Sequence, residues 1–248
     1  MIEKDTRNLY NAQAESWQRT KPILLSDYSA RPFVLDLCEP IKDTRVFDLG
    51  CGEGYVARQL KNRGAASVLA MDISEKMIDA AKSAESSGIE YQVGDARSMA
   101  DFEGESFDLV LAMFLFNYLN VEESAQTIEQ IYRILKPGGT FVMAVPHPSL
   151  PFLRKKEFPF YFEPHGDYFS GRNILFPGQI WRLDRVPVNV QCVHKTWEDY
   201  FNCFIHSGFK SMPVVKELHI NEEHVKLDQE FFGPLLGTPL HTAFKLVK

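Results

Sequence analysis

The feature that most restricts this chain is the segment VFDLGCGEGY, residues 46–55. Four residues that favour a strand run into Gly50, Gly52 and Gly54, and helix-forming residues follow at once. A strand, a glycine turn and a helix in that order leave backbone N–H groups at the helix start facing a crevice at the strand's carboxyl end. Glycines there let a ligand come close to the main chain, because no Cβ stands in the way. Asp72 ends the next predicted strand, where a carboxylate can accept hydrogen bonds from both hydroxyls of a ribose. A dinucleotide would tolerate that spacing, but its GxGxxG fingerprint needs glycine at position 55, where this chain has Tyr55. Asp48 lies near the strand end and disfavours a pyrophosphate, while it suits an ammonium or a sulfonium.

Strands and helices alternate on either side of this loop. Strands are predicted at 46–49, 67–72, 89–93, 107–114 and 140–145, with helices at 55–64, 74–88 and 121–135. Right-handed crossovers between such strands give a parallel sheet covered on both faces. Short helices are expected at 8–18 and 31–39 ahead of the core, the second opened by Arg31-Pro32. After Pro146 the alternation stops. Residues 146–195 are rich in proline, carry the aromatic run FPFYFEPHGDYF (158–169), and show two β-like stretches around 179–183 and 186–194. An insertion of this length in a compact domain is usually a lid or binding loop. A helix at 196–209 and strands at 212–218 and 242–248 complete the pattern. The expected organisation is one domain: a helical cap (1–44), a cofactor-binding core (45–145), a substrate lid (146–195) and a C-terminal helix with strands (196–248).

VFDLGCGEGY, AMDIS with Asp72, VGDA with Asp95, and LKPGG (135–139) resemble, in order and spacing, the landmarks of class I S-adenosylmethionine-dependent methyltransferases. The resemblance covers about residues 45–145. It implies an α/β, Rossmann-like, doubly wound sheet of seven mostly parallel strands with an antiparallel last strand. It also implies S-adenosyl-L-methionine as cofactor and S-adenosyl-L-homocysteine as product. The methionine part falls to Asp48, Gly50 and Gly52 in the loop that also holds Cys51 and Gly54, and the ribose to Asp72. Adenine falls to Asp95 and Ala96, with Ile73 and Met77 flanking the base. Met113 and Phe114, after the fourth strand, stand where the methyl-donor pocket is lined. The flanks LYNAQAESW and HKTWEDYFNCFIHSGF are similar to segments of methyltransferases acting on small metabolites, with Asn11, Lys195 and Ser207 as departures. The implied reaction moves a methyl group to an oxygen or nitrogen of a small molecule, of the kind met in secondary metabolism, and the aromatic run 158–169 with Trp181 favours an aromatic or heterocyclic acceptor. A nicotinamide-dependent oxidoreductase and a non-catalytic cofactor-binding module share much of this pattern and stay open.

Tyr10 and Trp17, seven residues apart on one helical face, suit either core packing or a helix folded over the cofactor, with Tyr10 near the sulfonium. His147, between two prolines just past the fifth strand, is a candidate base, as is Tyr10; a histidine satisfied by a nearby carbonyl is the plainer alternative. His165 and His194 are weaker candidates. The lid aromatics and Trp181 either stack on a flat acceptor or form satellite core. Cys51 reads as a small loop filler.

Other partners are disfavoured. The net charge is −6, with no long Lys/Arg run, and the segment after the fourth strand, AMFLFNYL, lacks the (D/N/S)PP(Y/F) signature of nucleic-acid base methylation. The basic cluster Arg154, Lys155, Lys156 reads as a solvated loop. The longest apolar run, Leu109 to Phe116, has eight residues, far short of the roughly twenty a membrane helix needs. The amino terminus lacks the apolar stretch of a secretory signal, and four scattered cysteines suit reduced thiols, so a cytoplasmic monomer or homodimer is expected, with no metal-ligand cluster.

Overall fold

The computed structural model describes residues 5–84 and 87–248. Residues 85 and 86, inside the helix expected over 74–88, lie outside the described residues, as do residues 1–4 of the amino terminus.

The cap comprises α1 (Thr6–Trp17), α2 (Leu25–Ser29) and α3 (Arg31–Leu37). Asp5 caps α1 by accepting from the Arg7 amide at 2.9 Å. The core follows as β1 (Arg45–Leu49), α4 (Tyr55–Asn62), β2 (Ser67–Asp72), α5 (Glu75–Ser83), β3 (Ile89–Val93), β4 (Phe107–Met113), α6 (Val121–Ile134) and β5 (Leu135–Pro146). Ser74 caps α5 through the Met77 amide, and Asn120 with Glu123 closes a reciprocal cap on α6. β5 is longer than the expected 140–145 because Leu135 already pairs with Phe107, with a register shift before Thr140 meets Leu109.

The insertion holds α7 (Leu150–Leu153), β6 (Phe160–Phe162), β7 (Leu175–Trp181) and β8 (Pro187–Val193). These strands form a separate antiparallel sheet in the order β6-β7-β8, so the segment is a small folded layer rather than a structureless loop. The chain ends with α8 (Trp197–His206), β9 (Val214–Leu218), α9 (Glu222–Leu227), α10 (Gln229–Phe232), a 3₁₀ turn at Gly233–Leu235, and β10 (His241–Val247).

The main sheet has seven strands in the order β3-β2-β1-β4-β5-β10-β9. The first five are mutually parallel, and β10 runs antiparallel to both β5 and β9. The strand order therefore reverses between β1 and β4, the position at which open α/β sheets bind ligands. Apolar side chains cover both faces: Phe47, Phe107, Phe141 and Phe204 on one, and Val34, Leu60, Ile78 and Leu111 on the other. A third cluster joins the lid to the cap and the C-terminal helices through Leu24, Phe160, Phe176, Phe231 and Phe232. Arg154 belongs to this junction rather than to a solvated loop, its guanidinium donating to the carbonyls of Phe158, Phe160 and Pro234. Among the described residues no helix is long and apolar enough to cross a membrane.

Candidate active site

A cavity of about 770 Å³ opens at the carboxyl ends of β1, β2 and β4, roofed by α1 and bounded by the lid. Its lining includes Tyr10, Asp48, Gly50, Cys51, Gly52, Asp72, Ile73, Met77, Asp95, Ala96, Met113 and Phe114, so the sequence-predicted cofactor residues converge on one space with a single exception. The exception is Gly54. It starts α4 in the left-handed region, and a Cβ there would meet the Tyr91 hydroxyl at 2.6 Å, so it serves packing rather than the cavity. Gly52 is also left-handed, with φ +56, but a Cβ there meets nothing within 4 Å: the space over its backbone is open cavity.

The acids differ in what holds them. Asp72 accepts from the amides of Gly52 (2.8 Å) and Ser74 (2.9 Å), which ties the end of β2 to the glycine turn. Burial raises its pKa and these amides oppose the rise. Asp48 is fully buried, and neither carboxylate oxygen meets a donor in good hydrogen-bond geometry; the Ala57 amide supplies only a weak interaction. Desolvation first, then the nearby Asp72 charge, pushes its pKa up to about 7. A buried carboxylate short of donors beside an open backbone cradle is what an ammonium or sulfonium ligand would complete. Asp95 is pulled the other way: Arg97 donates to both of its oxygens and holds its pKa below the ordinary value.

Tyr10 reaches the cavity from α1, where Asn11 bonds Ser74 at 2.6 Å and pins the cap to the start of α5. Its hydroxyl shares a short hydrogen bond with Tyr118, and its ring packs on Trp17 at 5.5 Å. Burial, and then Tyr118, raise the Tyr10 pKa well above that of a free phenol. That hydroxyl is therefore protonated near neutral pH and engaged with Tyr118.

His147 is not brought to the cavity. Pro146, the last residue of β5, lines it, whereas His147 just beyond the strand does not. The His147 Nε2 meets Glu217 Oε1 at 3.0 Å, Nδ1 accepts from the Ser149 amide at 3.1 Å, and the ring packs on Trp197. The histidine inside is His241, which stands opposite Pro146 in the β5–β10 register. His194 bonds the Tyr168 carbonyl and stacks on Phe176, and His165 lies against the same ring; neither lines the cavity.

Sequence reasoning also missed a charged cluster from the cap. Arg19 bridges Asp27 (3.0 Å) and Glu53 (2.9 Å), and Arg31 meets Asp27 at 2.9 Å; both arginines line the cavity. Three arginines, Arg58 included, face two carboxylates here. From the lid, Phe160, Phe162, Ile180 and Val190 reach the cavity, whereas Tyr161 and Trp181 pack against each other outside it, as strand alternation requires.

A mostly parallel seven-stranded sheet with a reversed last strand, carrying a glycine cradle and three strand-end acids at its switch point, is the architecture of a Rossmann-like domain built for a nucleoside cofactor. Residues 46–139 match the family model described as a methyltransferase domain. The chain is 34% identical over 103 residues to a demethylmenaquinone methyltransferase of Leptospira interrogans, a match spanning 39% of this chain and 41% of that protein, so the chain spans less than half of that relative's length. It is 25% identical over 183 residues to a ubiquinone biosynthesis O-methyltransferase of Neisseria meningitidis, covering 69% of this chain and 76% of the other. The crystal structure of an S-adenosylmethionine-dependent methyltransferase from Mesorhizobium loti superposes with a TM-score of 0.67 at 24% identity, over 88% of this chain and 96% of that one. Residues 46–139 thus carry a methyltransferase domain, and the cradle of Asp48, Gly52 and Asp72 fits the S-adenosylmethionine cofactor of such domains.

Proposed function

We propose that the protein transfers the methyl group of S-adenosylmethionine to an oxygen or nitrogen of a small aromatic or heterocyclic acceptor. The observation that carries this reading is the buried, donor-poor carboxylate of Asp48 beside the open backbone of Gly52 and the amide-held Asp72. In this reading Asp48 and the glycine turn hold the methionine end. Asp72 holds the ribose, Asp95 and Ala96 the adenine edge, and Ile73 and Met77 flank the base. The bound cofactor supplies a methyl carbon already activated by its sulfonium. Transfer would form the new bond from an acceptor lone pair as the carbon–sulfur bond breaks, its electron pair staying on sulfur and any acceptor O–H or N–H proton leaving to solvent.

The chain's part is then to align and to exclude water. Tyr10, hydrogen-bonded to Tyr118, closes over the donor from α1, and Met113 with Phe114 walls the space between donor and acceptor. Phe160, Phe162, Ile180 and Val190 supply an apolar ceiling suited to a flat ring. The quinone-pathway names of the two curated relatives agree with a ring-bearing acceptor, and a cytoplasmic location and a role in small-molecule metabolism complete the reading.

The test is methyl transfer from isotopically labelled S-adenosylmethionine to a panel of phenols, hydroxylated heterocycles and aromatic amines. Acceptor-dependent formation of S-adenosylhomocysteine, together with stabilisation by S-adenosylhomocysteine and not by NAD, is expected. Stabilisation by NAD alone would replace this reading with the oxidoreductase one.

A further inference from the structure

One end of the cavity holds polar groups that the cofactor reading leaves unused. Phe114 forms its floor, with φ +63 in the left-handed region, a conformation a bulky residue keeps only where its surroundings enforce it. The Arg31 guanidinium carbon lies 5.8 Å from the Phe114 ring centre, and the His241 ring centre lies 5.0 Å from it. Phe160 of the lid packs on His241 from the other side at 5.9 Å.

Arg31 is 9% exposed and spends Nη1 on Ser26 and Asp27, yet its Nε finds no acceptor. His241 is 4% exposed, and neither ring nitrogen has a partner. Asn117, 6% exposed and also in the lining, leaves its Oδ1 unbonded. Buried polar groups without partners are rare and costly, and two of them against one phenylalanine ring indicate a ligand that completes them.

The sign of the charge narrows the ligand. Burial, with the Arg31 charge next and then His147, drives the His241 pKa down to about 3, so the imidazole is neutral. Asp27, the acid paired with Arg31, is shared with Arg19, and Glu53 is shared between Arg19 and Arg58, which leaves this cluster one positive charge in excess. Asp48, the other acid near Arg31, is partly protonated at neutral pH with its pKa about 7. A neutral carbonyl could accept from the Nε edge of Arg31 but would leave the excess charge unbalanced, whereas a carboxylate both balances it and accepts in the planar geometry guanidinium favours.

Resting on the methyltransferase reading, we propose that this end of the cavity is the acceptor subsite and that it selects a carboxylate-bearing acceptor. The carboxylate is held by the Nε edge of Arg31 and a ring N–H of His241, and the body of the molecule lies between Phe114 and the lid residues Phe160 and Phe162.

The experiment is calorimetry on the full chain saturated with S-adenosylhomocysteine, titrated with benzoate and with its neutral isostere benzamide. Wild type binds benzoate about tenfold or more tightly than benzamide, as a charge-assisted pair at a buried guanidinium requires. In Arg31→Gln that preference falls to near unity. In His241→Phe, which leaves the Arg31–Asp27 pair intact, it shrinks while S-adenosylhomocysteine still binds, so the conclusion does not depend on Arg31→Gln folding normally. Equal affinity of the two probes for wild type, no binding of benzoate, or a preference that survives both substitutions overturns the carboxylate subsite. Failure of S-adenosylhomocysteine itself to bind wild type overturns the methyltransferase reading instead.

Discussion

Replacing Asp48 by Asn in the ligand-free protein tests the electrostatics of the cradle. The folded pKa is about 7 against an ordinary 3.8, a difference that corresponds to about 4 kcal/mol at 1.36 kcal/mol per pKa unit. The folded pKa is the higher one, so the stability due to the protonated carboxyl is complete below pH 3.8 and is lost as pH rises through about 7. Above that, the fold carries a buried carboxylate with too few donors, and the uncharged, nearly isosteric amide escapes this cost. Urea unfolding followed by tryptophan fluorescence should find Asp48→Asn more stable than wild type at about pH 8, with the gap narrowing by about 3 kcal/mol on going down to about pH 5. The same variant should lose affinity for S-adenosylmethionine, because the anion that attracts the ligand's positive charge is gone. A gap that does not change with pH, or an Asn variant less stable than wild type at about pH 8, would refute the reasoning.

Three further outcomes follow from particular residues. Gly52→Ala puts a methyl group into open cavity at a left-handed position; it should lower stability by about 1 kcal/mol and weaken S-adenosylhomocysteine binding at least about tenfold, measured by denaturation and calorimetry. Lys195 is buried, donates to the Leu119 and Val193 carbonyls, and has its pKa lowered to about 8 from 10.5, chiefly by burial. Its charge costs stability below the folded pKa and stops doing so as pH rises from about 8 to 10.5, so the stability of wild type relative to Lys195→Met should grow by about 3 kcal/mol across that window in paired urea titrations. His147→Ala should lower thermal stability through lost packing on Trp197 and the lost contact with Glu217, yet leave S-adenosylhomocysteine affinity unchanged in calorimetry, because the ring faces away from the cavity; a large loss of affinity would contradict that placement.

The core was legible because its signals are local. β2 and β3 match their expected bounds, and the acids Asp48, Asp72 and Asp95 converge because strand ends in a parallel sheet meet at one edge. The lid was harder to read. β7 contains Pro177 and Gly178, which blur a strand pattern, and β6 is only three residues long, so pairing rather than propensity defines that sheet. α9 and α10 went unnoticed for a similar reason, each being too short to show a helical period.

The acceptor end of the site was hidden by distance along the chain. Arg31 read as a helix start and His241 as the residue before the last strand. Only β10 pairing with β5, and the cap folding over β1, bring both to the same phenylalanine. His147 follows β5 directly, yet the cavity is lined by Pro146 and by His241 opposite it, a pairing only the sheet register reveals.

The central claim is that the glycine turn with Asp72 binds an S-adenosyl nucleoside. Calorimetric titration of wild type and Asp72→Ala with S-adenosylhomocysteine tests it most directly. One molecule should bind per chain, and the substitution should weaken binding by about 1–3 kcal/mol through lost charge-assisted hydrogen bonds. Equal affinity for both proteins would contradict the account, as would wild type that takes up NAD but not S-adenosylhomocysteine.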